Sequence, residues 1–309
     1  MDNMQMIAGV RQGSIFASGA AQLAGLPSPA MSLRNVATLT LEILEAGRYV
    51  APSGAEVEIG DDQAAAVEDS TLYTPGELRA LIARPGPGGP PPTIVVTDET
   101  TQVAARRLVE GGARDLVLLN FASARNPGGG FLGGAKAQEE DLCRCSGLYP
   151  TLLEHPDYYE VNRRQSSLLY TDHLIYSPDV PFFRVRGRGE LLERPFLASV
   201  ITAPAPNTGP LLQRDPDAGP AIRETFRRRW AIVLAVAEAR GHRNVLLGAW
   251  GCGAFGGDPS VAADTVAEWL ESPRFAGSFD QVVFAIPDGG RSGVNLAAFR
   301  DRLASARAG

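Results

Sequence analysis

Residues 126–144, NPGGGFLGGAKAQEEDLCR, place a dense glycine run just ahead of Gln138, Glu139 and Glu140. Two kinds of chemistry meet there. Glycine has no Cβ and lets backbone N–H groups come close to an anion. Carboxylates in pairs are common equipment for moving protons. An exposed turn needs one or two glycines. Here five lie among the seven residues Gly128 to Gly134, Gly128, Gly129 and Gly130 being consecutive, so a ligand loop is the better account. It is not a P-loop, because no Gly-Lys-Ser/Thr follows, and it lacks the dinucleotide spacing. A second glycine loop, GCGAFGG, spans Gly251, Cys252, Gly253, Ala254, Phe255, Gly256 and Gly257.

Two such loops suggest a ligand gripped from both sides, and a diphosphate offers two anionic groups to two sets of backbone donors. A helix beginning near Ser260 would add the positive end of its dipole. Phe255 either packs against a sugar or base of that ligand or plugs the core beneath its loop. Glu139 and Glu140 are adjacent and point in different directions, so they are expected to have different jobs. A helix N-terminus favours both whatever else they do. A carboxyl beside a second carboxylate and partly out of water has a raised pKa and can donate to a glycosidic oxygen. The glycines would then hold a diphosphate, an attached sugar would lie against the carboxylates, and the bond at risk would be glycosidic.

The elements that must position these residues follow from hydrophobic periodicity. Residues 32–47 read as a helix with Ser32 as N-cap and Gly47 as stop, and 48–59 as a hairpin turning at Ser53-Gly54. A polar stretch runs to about 83, and RPGPGGPPP (84–92) is a loop or linker. From 93 the pattern alternates. Buried strands are predicted at 93–97 and 116–122, with a helix at 99–112 between them. A helix over 138–154 follows, then strands at 174–185 and 196–204 and a long helix at 219–241. A strand beginning at 244 runs into the second loop, and a helix at 260–272 and a strand at 279–288 complete the series. Continuous apolar strands between helices imply an α/β fold, a mixed central sheet covered on both faces. Residues 1–30 are expected to lie outside it, 31–90 to form a small α+β extension, and 91–309 to form the main domain.

Composition narrows the function. A formal charge of −6 over 309 residues argues against a generally basic nucleic-acid surface. Lys136 is the sole lysine, and the arginine excess is a compositional habit that gives no single arginine functional weight. Three cysteines, an odd number, and three isolated histidines make neither a disulfide framework nor a zinc site. No apolar run is long enough to span a membrane, and 9–30 resembles a signal peptide only faintly. A cytoplasmic monomer is expected.

The order GGG, seven residues, then QEE resembles the signature of poly(ADP-ribose) glycohydrolases. The flanks LNFASARNPGGGF and QEEDLCRCSGLYPTL, with YSPDVPFFR and GAWGCGAFGGDP further on, look like the compact bacterial branch. The resemblance covers roughly 32 to 300. It implies a macrodomain-like fold and the hydrolysis of ribose–ribose bonds in poly(ADP-ribose), from the chain end, with no cofactor and no metal. By the same resemblance Glu140 is the acid and base, Glu139 orients ribose hydroxyls, and Gln138 holds the catalytic loop. Asn126 with Gly128, Gly129 and Gly130 approaches ribose and phosphates, and Gly251 to Gly256 form the diphosphate loop with Phe255 near the distal ribose. Glu99 falls where an acidic residue reads the adenine amino group, with Asp98 competing for the role. ADP-ribosylated proteins would be the substrate carriers. One departure stands out: Ser123 lies where animal members carry an asparagine. A module that binds ADP-ribose without turning it over, a class that ordinarily lacks the glutamate pair, and a mono-ADP-ribosyl hydrolase are the alternatives.

Overall fold

The computed structural model describes residues 31–287 and 293–304. The expectation for 1–30 and the last residue of the final predicted strand lie outside the described residues. Helix α1 (Leu33–Ala46) starts where the Ser32 hydroxyl accepts from the Asn35 N–H at 3.2 Å and stops at Gly47, whose φ of 65° is left-handed. Strands β1 (Arg48–Val50) and β2 (Glu56–Glu58) then pair antiparallel, as the Ser53-Gly54 turn implied. The polar stretch after them, to which periodicity assigns no element, is regular. It folds into helix α2 (Gly60–Glu68), strand β3 (Thr71–Tyr73) and helix α3 (Pro75–Ile82). Thr74 and Glu77 form a reciprocal capping box at the start of α3. The weak amphipathicity of α2, which buries only Gln63 and Ala66, hides it from periodicity.

The remaining strands are β4 (Thr93–Thr97), β5 (Leu116–Phe121), β6 (Leu174–Phe182), β7 (Phe196–Ala203), β8 (Asn244–Leu247) and β9 (Gln281–Ala285). With β3 they form one seven-stranded mixed sheet in the order β3-β6-β7-β5-β8-β9-β4. The run β7-β5-β8-β9-β4 is parallel, while β6 is antiparallel to both β7 and β3. β3 therefore ties the 31–90 lead-in to the sheet. β4, predicted to be a buried strand, is instead a half-exposed edge.

Alternation along β5 sorts the two layers. Val117 and Leu119 face the helices α3, α9 (Gly219–Ala239), α10 (Pro259–Leu270) and α11 (Val294–Ala304). Leu116 and Leu118 face α4 (Thr101–Glu110), α5 (Gln138–Cys145), α6 (Leu148–Leu153) and α7 (Pro156–Arg164). The single helix predicted over 138–154 is broken at Ser146, which turns extended and bridges to Phe182 of β6. Its hydroxyl donates back to the Leu142 carbonyl at 2.8 Å and accepts from the Leu148 N–H at 3.3 Å, so the side chain replaces the interrupted helical bonds. The break keeps α5 short, with its N-terminus at the carboxyl edge of β5.

One long helix anchors the loops at that edge. Arg229 of α9 is fully buried and donates to Asp172 at 3.0 Å, to the Pro204 carbonyl at 2.9 Å and to the Leu169 carbonyl. Arg228 adds two bonds to the same carboxylate, at 2.7 and 3.1 Å. Together they clamp residues 169–172 to the end of β7. Removing one member of a buried ion pair strands the other. Asp172→Ala is therefore expected to lower the unfolding free energy by about 3 kcal/mol in chemical denaturation. A loss below about 1 kcal/mol would show that the pair behaves as a solvated one.

Candidate active site

The chain leaves β5 towards β6 and β7 on one side and returns through β8 on the other. That reversal opens a crevice at the carboxyl ends of β5 and β8, the usual ligand position in such sheets. The first glycine loop follows β5 and the second follows β8, so topology makes them neighbours.

The three residues at the head of α5 have separate tasks. β5 outruns β8: its pairing with β8 ends at Leu118, whereas its pairing with β7 continues to Phe121. The Gln138 carboxamide stands where a further strand residue would pair. It donates to the Leu119 carbonyl at 2.9 Å and accepts from the Phe121 N–H at 2.8 Å. A third bond, to the Thr101 hydroxyl at 3.2 Å, ties it to α4. Glu139, only 2 % exposed, accepts from the Ser123 N–H at 2.7 Å and from the Asn120 carboxamide at 3.2 Å. Glu140 accepts from the Gly130 N–H at 2.8 Å through Oε1, while its Oε2 is buried without a partner.

The two carboxylates converge on one loop although their sequence positions are adjacent. Gly129, at φ 58°, lies so close that a Cβ there would run into Glu140 Oε1 and come within 3.1 Å of Glu139 Oε2. The conformation alone disfavours an L side chain, and the contact removes the space for one. The first loop thus seats itself on the carboxylates. The Ser123 hydroxyl accepts from the Arg125 and Asn126 N–H groups at 3.2 and 3.1 Å, which shapes the path from β5 into the glycines.

Burial pushes the Glu139 carboxyl from its ordinary value near 4.5 up to about 8, against the two donors that favour its charge; the Glu140 carboxylate adds to the rise. Asn120, also buried, donates to both Glu139 and Thr202 and leaves its own Oδ1 without a donor. Turned over, the same carboxamide would accept from a protonated Glu139. Asn120 and Ser123 were not singled out as site residues. A lone asparagine inside the apolar strand LVLLNFA was the available signal, since buried polar groups need a stated partner.

The second loop is held by close packing. Gly251, at φ 78°, leaves no room for a Cβ between Phe226 and Ala205, at 2.8 and 2.9 Å. The Phe255 carbonyl accepts from the Gly209 N–H at 2.8 Å, Gly209 lying in helix α8 (Thr208–Arg214), and Gly256 donates to Gly253 at 3.0 Å. The Gly253, Ala254 and Phe255 N–H groups have no acceptor among the described residues. A Cβ on Gly253 would meet nothing within 4 Å, so the protein itself does not require glycine there. The α10 N-terminus, expected to supply positive dipole, is already capped: the Asp258 carboxylate accepts from the Ser260 N–H at 2.8 Å. Phe255 is half-buried on the core, its ring centroid 6.3 Å from that of Tyr170, so it serves the core without being lost in it.

Glu99 lies just past β4 at the same edge of the sheet, three strands from β5. Arg107 holds its carboxylate by two points, at 2.7 and 3.0 Å, and keeps it below the usual carboxylate range. Asn126 is exposed beside the first loop. A cavity of about 240 Å³ is lined by Asn126, Pro127, Gly129, Gly130, Leu132, Gly133, Tyr149 and Arg163. The glutamates do not line it; the backbone of Gly129 and Gly130 lies between. No group of His, Cys, Asp and Glu among the described residues could hold a metal ion.

A mixed α/β sheet with two glycine loops at one edge and a carboxylate pair beneath the first defines a macrodomain-like protein equipped for glycosidic chemistry. The family model "microbial-type PARG, catalytic domain" matches residues 37–185. The poly(ADP-ribose) glycohydrolase of Thermomonospora curvata is 48% identical, with 87% of this chain and 98% of that one covered and a TM-score of 0.83. Its complex with the inhibitor ADP-HPD matches at 47% identity over the same shares, with a TM-score of 0.81. The Deinococcus radiodurans glycohydrolase in complex with ADP-ribose is 47% identical, covers 79% of this chain and 97% of its own, and has a TM-score of 0.72. No curated protein matches the chain. The chain belongs to the microbial-type poly(ADP-ribose) glycohydrolase family.

Because the folded state holds the Glu139 proton more tightly than the unfolded chain, this group's contribution to stability is full below about pH 4.5 and is lost as pH rises through about 8. Glu139→Gln removes that titration. Between pH 5.5 and 8.5 the wild-type melting temperature is expected to fall by roughly 5 °C more than that of the variant. Parallel curves would place the titration elsewhere.

Proposed function

We propose that this glycohydrolase removes ADP-ribose units from the end of poly(ADP-ribose), with Glu140 as the acid and base. The observation that carries the reading is the contrast between the two glutamates. Both oxygens of Glu139 are engaged, whereas Glu140 has one oxygen anchored by Gly130 and one buried and unpartnered. A buried carboxyl oxygen without a partner is costly, and a substrate oxygen would relieve it. The proton on Glu140 passes to the departing ribose 2′-oxygen as the bond to the neighbouring anomeric carbon breaks. Water then adds to the oxocarbenium-like centre, and its proton returns to Glu140.

The other residues serve this step. Glu139 orients ribose hydroxyls, and Gln138 holds the head of α5 to the sheet. Asn126 and Gly128 to Gly130 approach the terminal ribose. The N–H groups of Gly253, Ala254 and Phe255 take the diphosphate, and the absence of a Cβ at Gly253 leaves room for it. Phe255 and Tyr170 flank the distal ribose, and Glu99 with Asp98 stands on the adenine side. The ADP-ribose and ADP-HPD complexes of the Deinococcus radiodurans and Thermomonospora curvata enzymes support this ligand class. We read 91–309 as the catalytic domain with 31–90 as its extension. The three free thiols fit a reducing cytoplasm. Polymer attached to ADP-ribosylated proteins is the natural substrate on this reading.

Glu140→Gln keeps the size and removes the proton. It is expected to bind ADP-ribose within a few-fold of wild type while kcat on poly(ADP-ribose) falls by roughly 1,000-fold. Near-normal turnover would remove Glu140 from the chemistry, and binding without turnover in the wild type would make the chain a reader. End cleavage makes a second expectation: free ADP-ribose is the first product from long polymer, before the chains shorten in bulk. Early accumulation of mid-length fragments would show internal cutting.

A further inference from the structure

Next to the glutamates lies the cavity of about 240 Å³, whose Gly129 and Gly130 wall is shared with the terminal-ribose side and whose Leu132, Tyr149 and Arg163 have no role so far. It is below the usual size of a pocket for a whole ligand, so it suits a single base and not an ADP-ribose. Its walls are mixed. Leu132 is 40 % exposed, and Tyr149, packed against Phe131 at 5.1 Å between ring centroids, offers an apolar flank. Arg163 closes it at the C-terminal turn of α7. Its neighbour Arg164 is paired with Glu160 at 2.8 Å, but the Arg163 guanidinium has no partner among the described residues. Arg125 and Lys136, on either side of the first loop, are likewise without carboxylates. Three cations without a carboxylate partner among the described residues thus stand around this loop, as arginines elsewhere such as Arg84, Arg114 and Arg214 also do.

We propose that this cavity receives part of the leaving unit of the polymer: its adenine enters between Leu132 and Tyr149, its ribose, which carries the 2′-oxygen, stays outside the cavity on the Glu140 side of the loop, and Arg163 meets its diphosphate. The inference rests on the glycohydrolase reading. The terminal unit already has a diphosphate site in the second loop, so a second cationic site needs another owner. The peptide that binds Glu140 Oε1 also walls the cavity, which puts it one backbone thickness from the bond being cut. A group there binds only substrates whose leaving group is a nucleotide. Arg163 is thus a specificity residue for polymer over ADP-ribose linked to other groups.

The test compares kcat/KM on poly(ADP-ribose) with kcat/KM on ADP-ribose bearing a small aryl group at the same anomeric oxygen. Wild type, Arg163→Ala, Arg163→Glu and Arg163→Lys are measured, with melting curves to confirm folding. The polymer-to-aryl ratio is expected to fall about tenfold in Arg163→Glu, less in Arg163→Ala, and to recover largely in Arg163→Lys, which keeps the point charge. The salt slope of log KM on polymer should shrink by roughly 0.7 in Arg163→Ala, one phosphate contact on a single strand. An unchanged ratio, with both substrates slowed alike or neither slowed, overturns the proposal while leaving the glycohydrolase reading intact. A wild type that cleaves neither substrate would sink both.

Discussion

Two carboxylates are kept out of water at the first turn of a short helix, and the rest of the site is arranged around that cost. An isolated buried carboxylate is prohibitive unless donors replace the lost hydration or a proton neutralises it. Glu139 is met in both ways: two N–H donors reach it, and burial still pulls its proton affinity upward. Glu140 is met halfway, by a single loop amide. The difference between them depends on the sheet. β5 runs on past its neighbour β8, and its end, unpaired on that side, with the turn beyond it offers Asn120, the Ser123 amide and the pairing groups that Gln138 fills. Were β8 as long as β5, its backbone would take those positions and the head of α5 could not dock there.

The glycine loop follows from the same constraint. Its residues look like a phosphate cradle, yet Gly129 is bent tightly because the backbone must come down onto two carboxyl groups with no side chain between. One surface of the loop is committed to the protein and the other faces the cavity. The second loop differs. Its glycines at 251 and 256 satisfy packing and backbone demands of the protein, whereas Gly253 satisfies none. Only there is the bare backbone free of an internal reason, which makes 253–255 the more credible anion donors.

The sheet and most of its helices were legible because buried parallel strands are continuous apolar runs, and long helices such as α9 repeat their pattern. The elements between 60 and 82 were not, because each is short and takes its stability from packing on the sheet and on α9. The break at Ser146 was equally hidden: residues 138–154 have helical composition throughout, and only the pairing of Ser146 with Phe182, distant in sequence, interrupts them. At the site, Gln138, Glu139 and Glu140 could be named from their spacing and given separate roles from the family resemblance, but the bonding that separates them could not be read. It depends on where β5 ends relative to β8, a fact of three-dimensional register. Asn120 was visible as a polar residue in an apolar strand, without any indication of what it would face.

On the roles proposed above, a loop that contacts the Glu140 carboxyl on one side and a cation-rimmed cavity on the other gives the enzyme a means to sense both halves of the bond it cuts. Movement of the Gly129–Gly130 backbone would alter the hydrogen bond to Glu140 and the shape of the cavity together, since one strand of chain forms both. The rigidity of that strand therefore matters to Glu140 itself. It is set by the Ser123 turn on one flank and on the other by the turn at Phe131–Gly133, where the Ala135 N–H returns to the Gly130 carbonyl at 3.2 Å. Ser123, the departure from the animal pattern, is then not a missing ligand. It is the residue that bonds Glu139 through its amide and shapes the loop through its hydroxyl, joining the two requirements in one position.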